Sequence, residues 1–300
     1  MIQYLYLGRV DYGEALRLQE EMAGLRAAGR IRNLLLLLEH PPVLTLGRNA
    51  RRANILASDQ LLARRGVAVH EINRGGDVTY HGPGQLVGYP IFDLRALGRP
   101  GGGRMGPVDF VRGMEEALIR LLASLGVAAG RVARRTGVWC GLGSASRAAE
   151  GEGMETCRPA FAAERKIAAI GIHVARGITT HGFALNVTTD LGNFQLIVPC
   201  GIADCSVTSL EQEIRSLPAR PCPVLPSLAS LARQAAGQFG QVFCEPVVEV
   251  ASLDVLRAQA ATAPEPAPHP VAEQPAQDTP LQLPAELERL RGLPPRPLRA

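Results

Sequence analysis

The sequence predicts an α/β (α+β) fold, a mixed sheet flanked by helices, and three observations carry that prediction. Strand-length apolar runs, such as residues 33–39, are interspersed with helix-length amphipathic stretches in irregular order. The chain has 300 residues, 46% of them hydrophobic, which is enough to bury one substantial core and excludes a wholly disordered or fibrous chain. From about Ala261 the composition changes: ten of the 23 prolines fall in the last 40 residues, interleaved with Ala, Glu and Gln. Such a segment buries too little apolar surface to offset its ordering entropy. The expected organisation is one folded domain over residues 1–255 and a Pro/Ala-rich disordered tail over 256–300.

The elements follow in order. Residues 11–29 place Ala15, Leu18, Met22 and Leu25 on one face and stop at a glycine, which predicts an amphipathic helix. Asn33 to Glu39 is too apolar for a half-exposed strand and leaves at His40-Pro41-Pro42, so it reads as a central strand of a covered sheet. Val43 to Gly47 continues that sheet or leads out of it. Val67 to Ile72 is a further strand, and residues 91–94 a short one, followed by a Gly-rich insertion over 99–106. Val108 to Leu125 carries the apolar stripe of a buried-face helix, with Gly126 placed to end it. A short strand at 138–140, a solvent-exposed loop over 141–164, strands at 166–174 and 182–187 turning at Arg176-Gly177, a helix at 227–239 and a strand-like run at 242–250 complete the list.

Charge narrows the function classes. Thirty-two basic residues against 28 acidic ones give a net charge of +4, no excess of the kind that marks a nucleic-acid binder. No run reaches the ~20 apolar residues of a membrane span, and the N-terminus lacks the pattern of an export signal. A cytoplasmic protein with reduced thiols is therefore expected. The six cysteines, Cys140, Cys157, Cys200, Cys205, Cys222 and Cys244, form no CxxC pair, so no metal site is expected.

One number stands out within the charge total: Lys166 is the single lysine, and every other basic residue is arginine. Guanidinium stays charged, whereas an ammonium exchanges its proton when its surroundings require it. Composition leaves two readings of Lys166, a chance survivor on a solvated face or a residue whose chemistry arginine cannot replace.

Two segments concentrate chemistry. RGGDVTYHGPGQ, Arg74 to Gln85, alternates glycines with hydrogen-bonding side chains, the composition of a loop that brings backbone N–H groups close to a ligand. It is neither a Walker A loop nor a GxGxxG fingerprint, so phosphate binding is not implied. The second segment starts with KIAAIGIHV at Lys166, passes through THGFALNV and ends at VPCGI. There Cys200, between Pro199 and Gly201, sits at a tight corner where nearby N–H groups can serve as oxyanion donors. If Lys166 and Cys200 meet, the ammonium lowers the thiol pKa and yields thiolate, the nucleophilic form. Cys140, Cys157, Cys222 and Cys244 read as inert fillers.

RGGDVTYHGPGQLVGYP, the lysine strand ending in IG, THGFALNV and VPCGI, in that order over about 74–202, closely resemble the lipoyl(octanoyl) transferases of lipoate biosynthesis. The resemblance implies a fold similar to the catalytic domains of biotin and lipoate protein ligases, with the octanoyltransferase domain over 1–255. It implies transfer of an octanoyl group from octanoyl-acyl carrier protein to a specific lysine of lipoyl domains, in 2-oxoacid dehydrogenase E2 subunits or the glycine-cleavage H protein. It carries the acyl-thioester role to Cys200 and the partner role to Lys166. Substrate contacts carry over to Arg74, Gly75, Gly76, Asp77, Val78, Thr79, Tyr80 and His81, to Ala169, Ile170 and Gly171, and to Gly182, Phe183 and Ala184. No cofactor, metal, nucleic acid or membrane partner is implied, and a monomer is expected. Two other readings stand beside it: an ATP-dependent lipoate- or biotin-type ligase, and a non-catalytic protein that binds acyl chains or lipoyl domains. The 99–106 and 141–164 segments and the Pro-rich tail depart from the compact family pattern.

Overall fold

In the computed structural model, which describes residues 1–98, 102–142, 164–198, 206–217 and 225–263, the leucine run explains the architecture. Strand β2 (Asn33–Glu39) is buried along nearly its whole length because it is covered on both sides. Leu35 and Leu37 join one core and Leu34, Leu36 and Leu38 another, as the two-residue repeat of a strand requires. The first core lies under α3 (Pro107–Ser124) and α5 (Leu228–Phe243), whose Phe110, Phe239 and Phe243 cluster with Phe92 and Phe183. The second lies under α1 (Tyr12–Ala27) and α6 (Leu253–Thr262), through Ala15, Leu18, Met22, Leu256 and Ala260.

Between these helix layers runs a mixed sheet of nine strands among the described residues, in the order β12-β1-β2-β6-β10-β9-β8-β7, with β11 beside β9. These are β1 (Ile2–Arg9), β6 (Gln85–Ile91), β7 (Ala129–Val132), β8 (Arg135–Cys140), β9 (Arg165–Ala175), β10 (Ile178–Asn186), β11 (Ser206–Val207) and β12 (Val247–Glu249). β12, β1 and β2 are parallel, and from β2 to β7 each neighbour is antiparallel. A separate sheet, β4-β3-β5, comprises β4 (Ala68–Glu71), β3 (Val43–Leu46) and β5 (Val78–His81). It has its own small core with Leu62 of α2 (Asp59–Arg64), Phe194 and Leu196. Helix α4 (Leu210–Arg215) follows β11.

Several elements differ from the sequence reading. Of the two courses open to Val43–Gly47, the chain takes the one that leads out of the main sheet, and Val43–Leu46 is the middle strand of the second one. Residues 78–81, read as part of a loop, form β5, and the strand read at 91–94 is the much longer β6, ending at Ile91. β1, β7, β11, α2, α4 and α6 have no counterpart in that reading. The run at 242–250 is only a three-residue strand, because α5 continues to Phe243 and closes on Cys244 in the left-handed conformation. Helix α6 crosses the expected 255/256 boundary: Leu256 and Ala260 repeat at helical spacing and are buried, so the folded unit extends past 255 through α6. Residues 99–101 of the first insertion, 143–163 of the second and the tail from 264 lie outside the described residues. Among those described, no helix is long and apolar enough to cross a membrane.

Candidate active site

The β9–β10 hairpin builds the floor of a cavity. Arg176 and Gly177, both at positive φ, form its two-residue turn, the geometry that matches the right-handed twist of paired strands. Register then sets Gly182 opposite Gly171 and Ala184 opposite Ala169, so small residues face each other. Above this floor lie the 74–79 segment and His81, with Tyr12 of α1, Tyr89 of β6 and residues 134–136 of the β7–β8 hairpin completing the walls. The cavity has a volume of about 200 Å3, roomy enough for a short aliphatic chain. Gly75 is tied to the floor by its N–H, which donates to Ile172 O at 3.0 Å.

Lys166 lines this cavity although it is only 7% exposed. Its Nζ lies 5.0 Å from the ring centroid of Trp139, its cross-strand neighbour on β8, at a bulge that disturbs the β8–β9 register. The stem passes beside Gly137, whose φ of 121° suits glycine. A Cβ there would lie 2.7 Å from Lys166 Cε and 2.6 Å from Ala168 O. Gly137 is held by Glu115 of α3, a fully buried carboxylate. Glu115 Oε1 accepts from Gly137 N–H at 3.0 Å, while Oε2 accepts from Arg112 at 2.7 Å and Arg131 at 3.1 Å.

Opposite Lys166 stands a group of buried polar rings. His81 Nδ1 is 2.7 Å from Gln85 Oε1, and Gln85 Nε2 donates to Tyr80 O and Asn186 Oδ1. That network turns the Gln85 oxygen toward His81, so Nδ1 carries the proton and Nε2 the lone pair. His40 Nδ1 donates to Val10 O, leaving Nε2 to accept from the Tyr89 hydroxyl at 2.7 Å. Tyr12 stacks over His81 at 6.0 Å. Burial pushes the imidazoles down, His40 to about 4, His81 to about 3 and His181 to about 4, so all three are neutral near pH 7. The Arg74 guanidinium adds to this for His81 and His181; it is itself held by Thr45 O and Oγ1, at 2.8 and 2.9 Å.

These depressed values are also a stability statement. Each imidazole binds a proton more readily in the unfolded chain, where its pKa is near 6.5, so stability is intact above that value and falls as the pH drops toward the folded values. Each of the three histidines should cost about 2 kcal/mol by pH 5. Urea midpoints measured from pH 7.5 to 5 should fall steeply, and a flat profile would contradict the neutral cluster.

The sequence profile of the lipoyl protein ligase A/B catalytic domain matches residues 11–221, which span the whole of this site. The chain belongs to that family. Within it, the chain is similar to proteins named octanoyltransferase. One from Acidobacterium capsulatum is 53% identical over 263 residues, covering 87% of this chain and 98% of that one. Another, from Chloroflexus aurantiacus, is 46% identical and covers 83% and 97%. The octanoyltransferases are acyltransferases, and this chain is an enzyme of that class. The fold is shared more widely. A lipoate-protein ligase A crystallised with ATP superposes with a TM-score of 0.58 at 16% identity, over 87% of this chain and 93% of its own. The bipartite lipoate protein ligase of Thermoplasma acidophilum matches equally well, over 87% and 91%.

For an octanoyltransferase of this sequence, the structure assembles most of the expected residues around one space: Lys166, Arg74, Gly76, Asp77, Val78, Thr79, His81, Ala169, Ile170, Gly171, Gly182, Phe183 and Ala184. Tyr80 points away from the cavity, into the core of the small sheet against Phe194. Asp77 spends both oxygens on local bonds, from Val78 N–H and Asn54 Nδ2. Cys200 lies outside the described residues, as do Cys157, Cys205 and Cys222; Cys140 is buried, with its thiol pushed up to about 12 by burial and then by Glu213. No cluster suited to a metal ion is found among the described residues.

Sequence reasoning missed Tyr12, His40, Tyr89, His181, Glu115 and Gly137. His40 was read only as a strand end and His181 only as a neighbour of Gly182, yet His181 lines the cavity, held by Asn73 Oδ1 at 2.7 Å. Gly137→Ala tests one of these positions. The new methyl meets backbone at Ala168 O, which cannot move aside, and the end of the Lys166 stem, which must. A loss of about 1–3 kcal/mol from the strained backbone, together with a drop in kcat of about tenfold, is expected. Chemical denaturation and steady-state turnover check the two effects separately.

Proposed function

We propose that this octanoyltransferase moves an octanoyl group from octanoyl-acyl carrier protein to a lysine of lipoyl domains, in 2-oxoacid dehydrogenase E2 subunits and the glycine-cleavage H protein, through a thioester on Cys200. The observation that carries this reading is the sole lysine of the chain, buried at the wall of an apolar, small-residue cavity. Val207, seven residues beyond Cys200 in sequence, pairs with Lys166 in register, and Thr208 N–H donates to Lys166 O at 2.9 Å, which supports a role for the two residues in one site.

The chemistry proceeds in two halves. The Cys200 thiol gives its proton to the Lys166 amine, and the thiolate attacks the donor carbonyl. The C–S bond to the carrier breaks, and Lys166 returns the proton to the departing thiolate. In the second half the neutral amine of the acceptor lysine attacks the enzyme thioester, an amide forms, and the amine's surplus proton passes through Lys166 to the Cys200 sulfur. His81 Nε2, an acceptor facing the cavity wall, suits an N–H of donor arm or incoming amine. The donor thioester is already activated, so no nucleotide is consumed and no cofactor is required.

Intact-mass spectrometry tests the first half directly. Mixed with octanoyl carrier protein and no ATP, the enzyme should acquire one octanoyl group, and a lipoyl domain added afterwards should remove it. Transfer that requires free octanoate and ATP would instead establish a ligase, and a protein that holds the chain without transferring it a binding protein.

A further inference from the structure

We infer that the segment 48–57 is the docking surface for the donor, a carrier protein whose surface is acidic around its phosphorylated thioester arm. The inference rests on the transferase reading above and adds to it where the donor sits.

The segment is a strap between the two halves of the site. On one side Arg48 N–H donates to Arg74 O at 3.0 Å, Asn49 N–H to Gly76 O at 3.2 Å, and Asn54 Nδ2 to Asp77 Oδ2 at 2.6 Å, all on the loop that walls the cavity. On the other side Leu56 N–H donates to Leu196 O at 2.8 Å, Ile55 bridges Ile197, and Val198 N–H donates to Asn54 O at 2.7 Å. Val198 is two residues before Cys200.

What the strap shows to solvent is cationic and apolar. The strap holds three arginines, at 48, 51 and 52, and no acid; α2, which follows it, adds Arg64 and, at its end, Arg65, against Asp59. Asp59 pairs with Arg52 at 2.7 Å, and neither Arg48 nor Arg51 has an ion pair among the described residues. Both are exposed, and between them and α2 stands Leu56, 63% exposed. A lone surface leucine means little. Exposed arginines with an exposed leucine on a segment bonded to the loop that walls the cavity give a surface enriched in the guanidinium groups that protein interfaces favour.

Charge selects the occupant. The acceptor brings a lysine side chain, which this surface repels in its protonated form. The donor brings a phosphodiester, which guanidinium binds with matched geometry, on a carrier of opposite sign, so that encounter is accelerated and salt-sensitive.

The test compares three donors with Arg48→Glu/Arg51→Glu and with Leu56→Ser. With octanoyl carrier protein, the double variant should show KM raised about tenfold and kcat within about twofold of wild type, and Leu56→Ser a rise of about threefold. With octanoyl-pantetheine, which lacks both phosphate and protein, neither variant should differ from wild type. Octanoyl-phosphopantetheine separates the phosphate contribution from the protein contribution. Salt should raise the wild-type KM for the carrier and barely affect that of the double variant. An equal loss on carrier and pantetheine donors, an unchanged KM for the carrier, or a shift confined to the lipoyl-domain KM overturns the docking surface alone. A wild type that takes no octanoyl from the carrier overturns the transferase reading and the surface together.

Discussion

Cys200→Ala should abolish the octanoyl adduct and lower turnover by about ten-thousandfold, while leaving the melting temperature close to that of wild type. The magnitude follows from removing a nucleophile that acts as a unit with its proton partner, for which losses of about 10^4 or more are usual. The effect should be specific to one thiol. Cys140 is fully buried in the main core, its thiol held protonated by burial, and Cys244 caps the end of α5, away from the residues that line the cavity. Cys140→Ala and Cys244→Ala should therefore keep the adduct. A Cys200→Ser enzyme discriminates further: its hydroxyl lacks a thiol's acidity, so acylation slows, and any adduct it forms is an oxygen ester resistant to hydroxylamine at neutral pH, unlike the wild-type thioester. An adduct that persists in Cys200→Ala would place the intermediate elsewhere and refute the assignment.

How much of this was legible in the sequence depended on whether one segment carried its own signal. The five-leucine run predicted a strand covered on both sides, and β2 is that strand, with its leucines divided between two cores. The IAAIGI and THGFALNV runs predicted a hairpin, and the register places their small residues face to face. Helix α3 announced itself by its apolar stripe. What escaped were features that exist only between segments. β3 has the same apolar character as β2, and nothing within Val43–Leu46 says that it leaves the main sheet to pair with β4 and β5. The ring cluster is assembled from Tyr12, His40, His81 and Tyr89; only His81 stood in a segment that announced itself, and the other three are meaningful only once four elements converge. Glu115 looked like one more charge on a helix, because two of its partners are 16 and 22 residues further on. Gly137 carried no signal of its own, because the side chain it makes room for comes from another strand. Helix α6 was hidden by the proline-rich composition that begins just after it.

Lys166→Arg should preserve the fold and lose about a hundredfold to ten-thousandfold in turnover, the range attributed to a positioned proton-transfer group. The rest of the chain gives the expectation its force: wherever a cation alone suffices, this protein uses arginine, and Lys166 stands apart. The site explains why arginine does not serve here. The ammonium sits over the Trp139 face beside Gly137, in a space bounded by the Ala168 backbone, and a planar guanidinium is broader than that compact head group. Even if accommodated, it keeps its proton at every accessible pH, so it can stabilise a thiolate but cannot relay a proton from thiol to leaving group. The two roles separate in the half-reactions. Under the relay, Lys166→Arg should retain alkylation of Cys200 by iodoacetamide at near wild-type rate, since thiolate persists, while both acyl transfer from the carrier and release to the lipoyl domain slow. If charge were the whole contribution, turnover would follow the alkylation rate and remain near normal. Lys166→Met completes the comparison: it keeps the stem against Trp139 without charge or proton, and should lose rapid alkylation and turnover together.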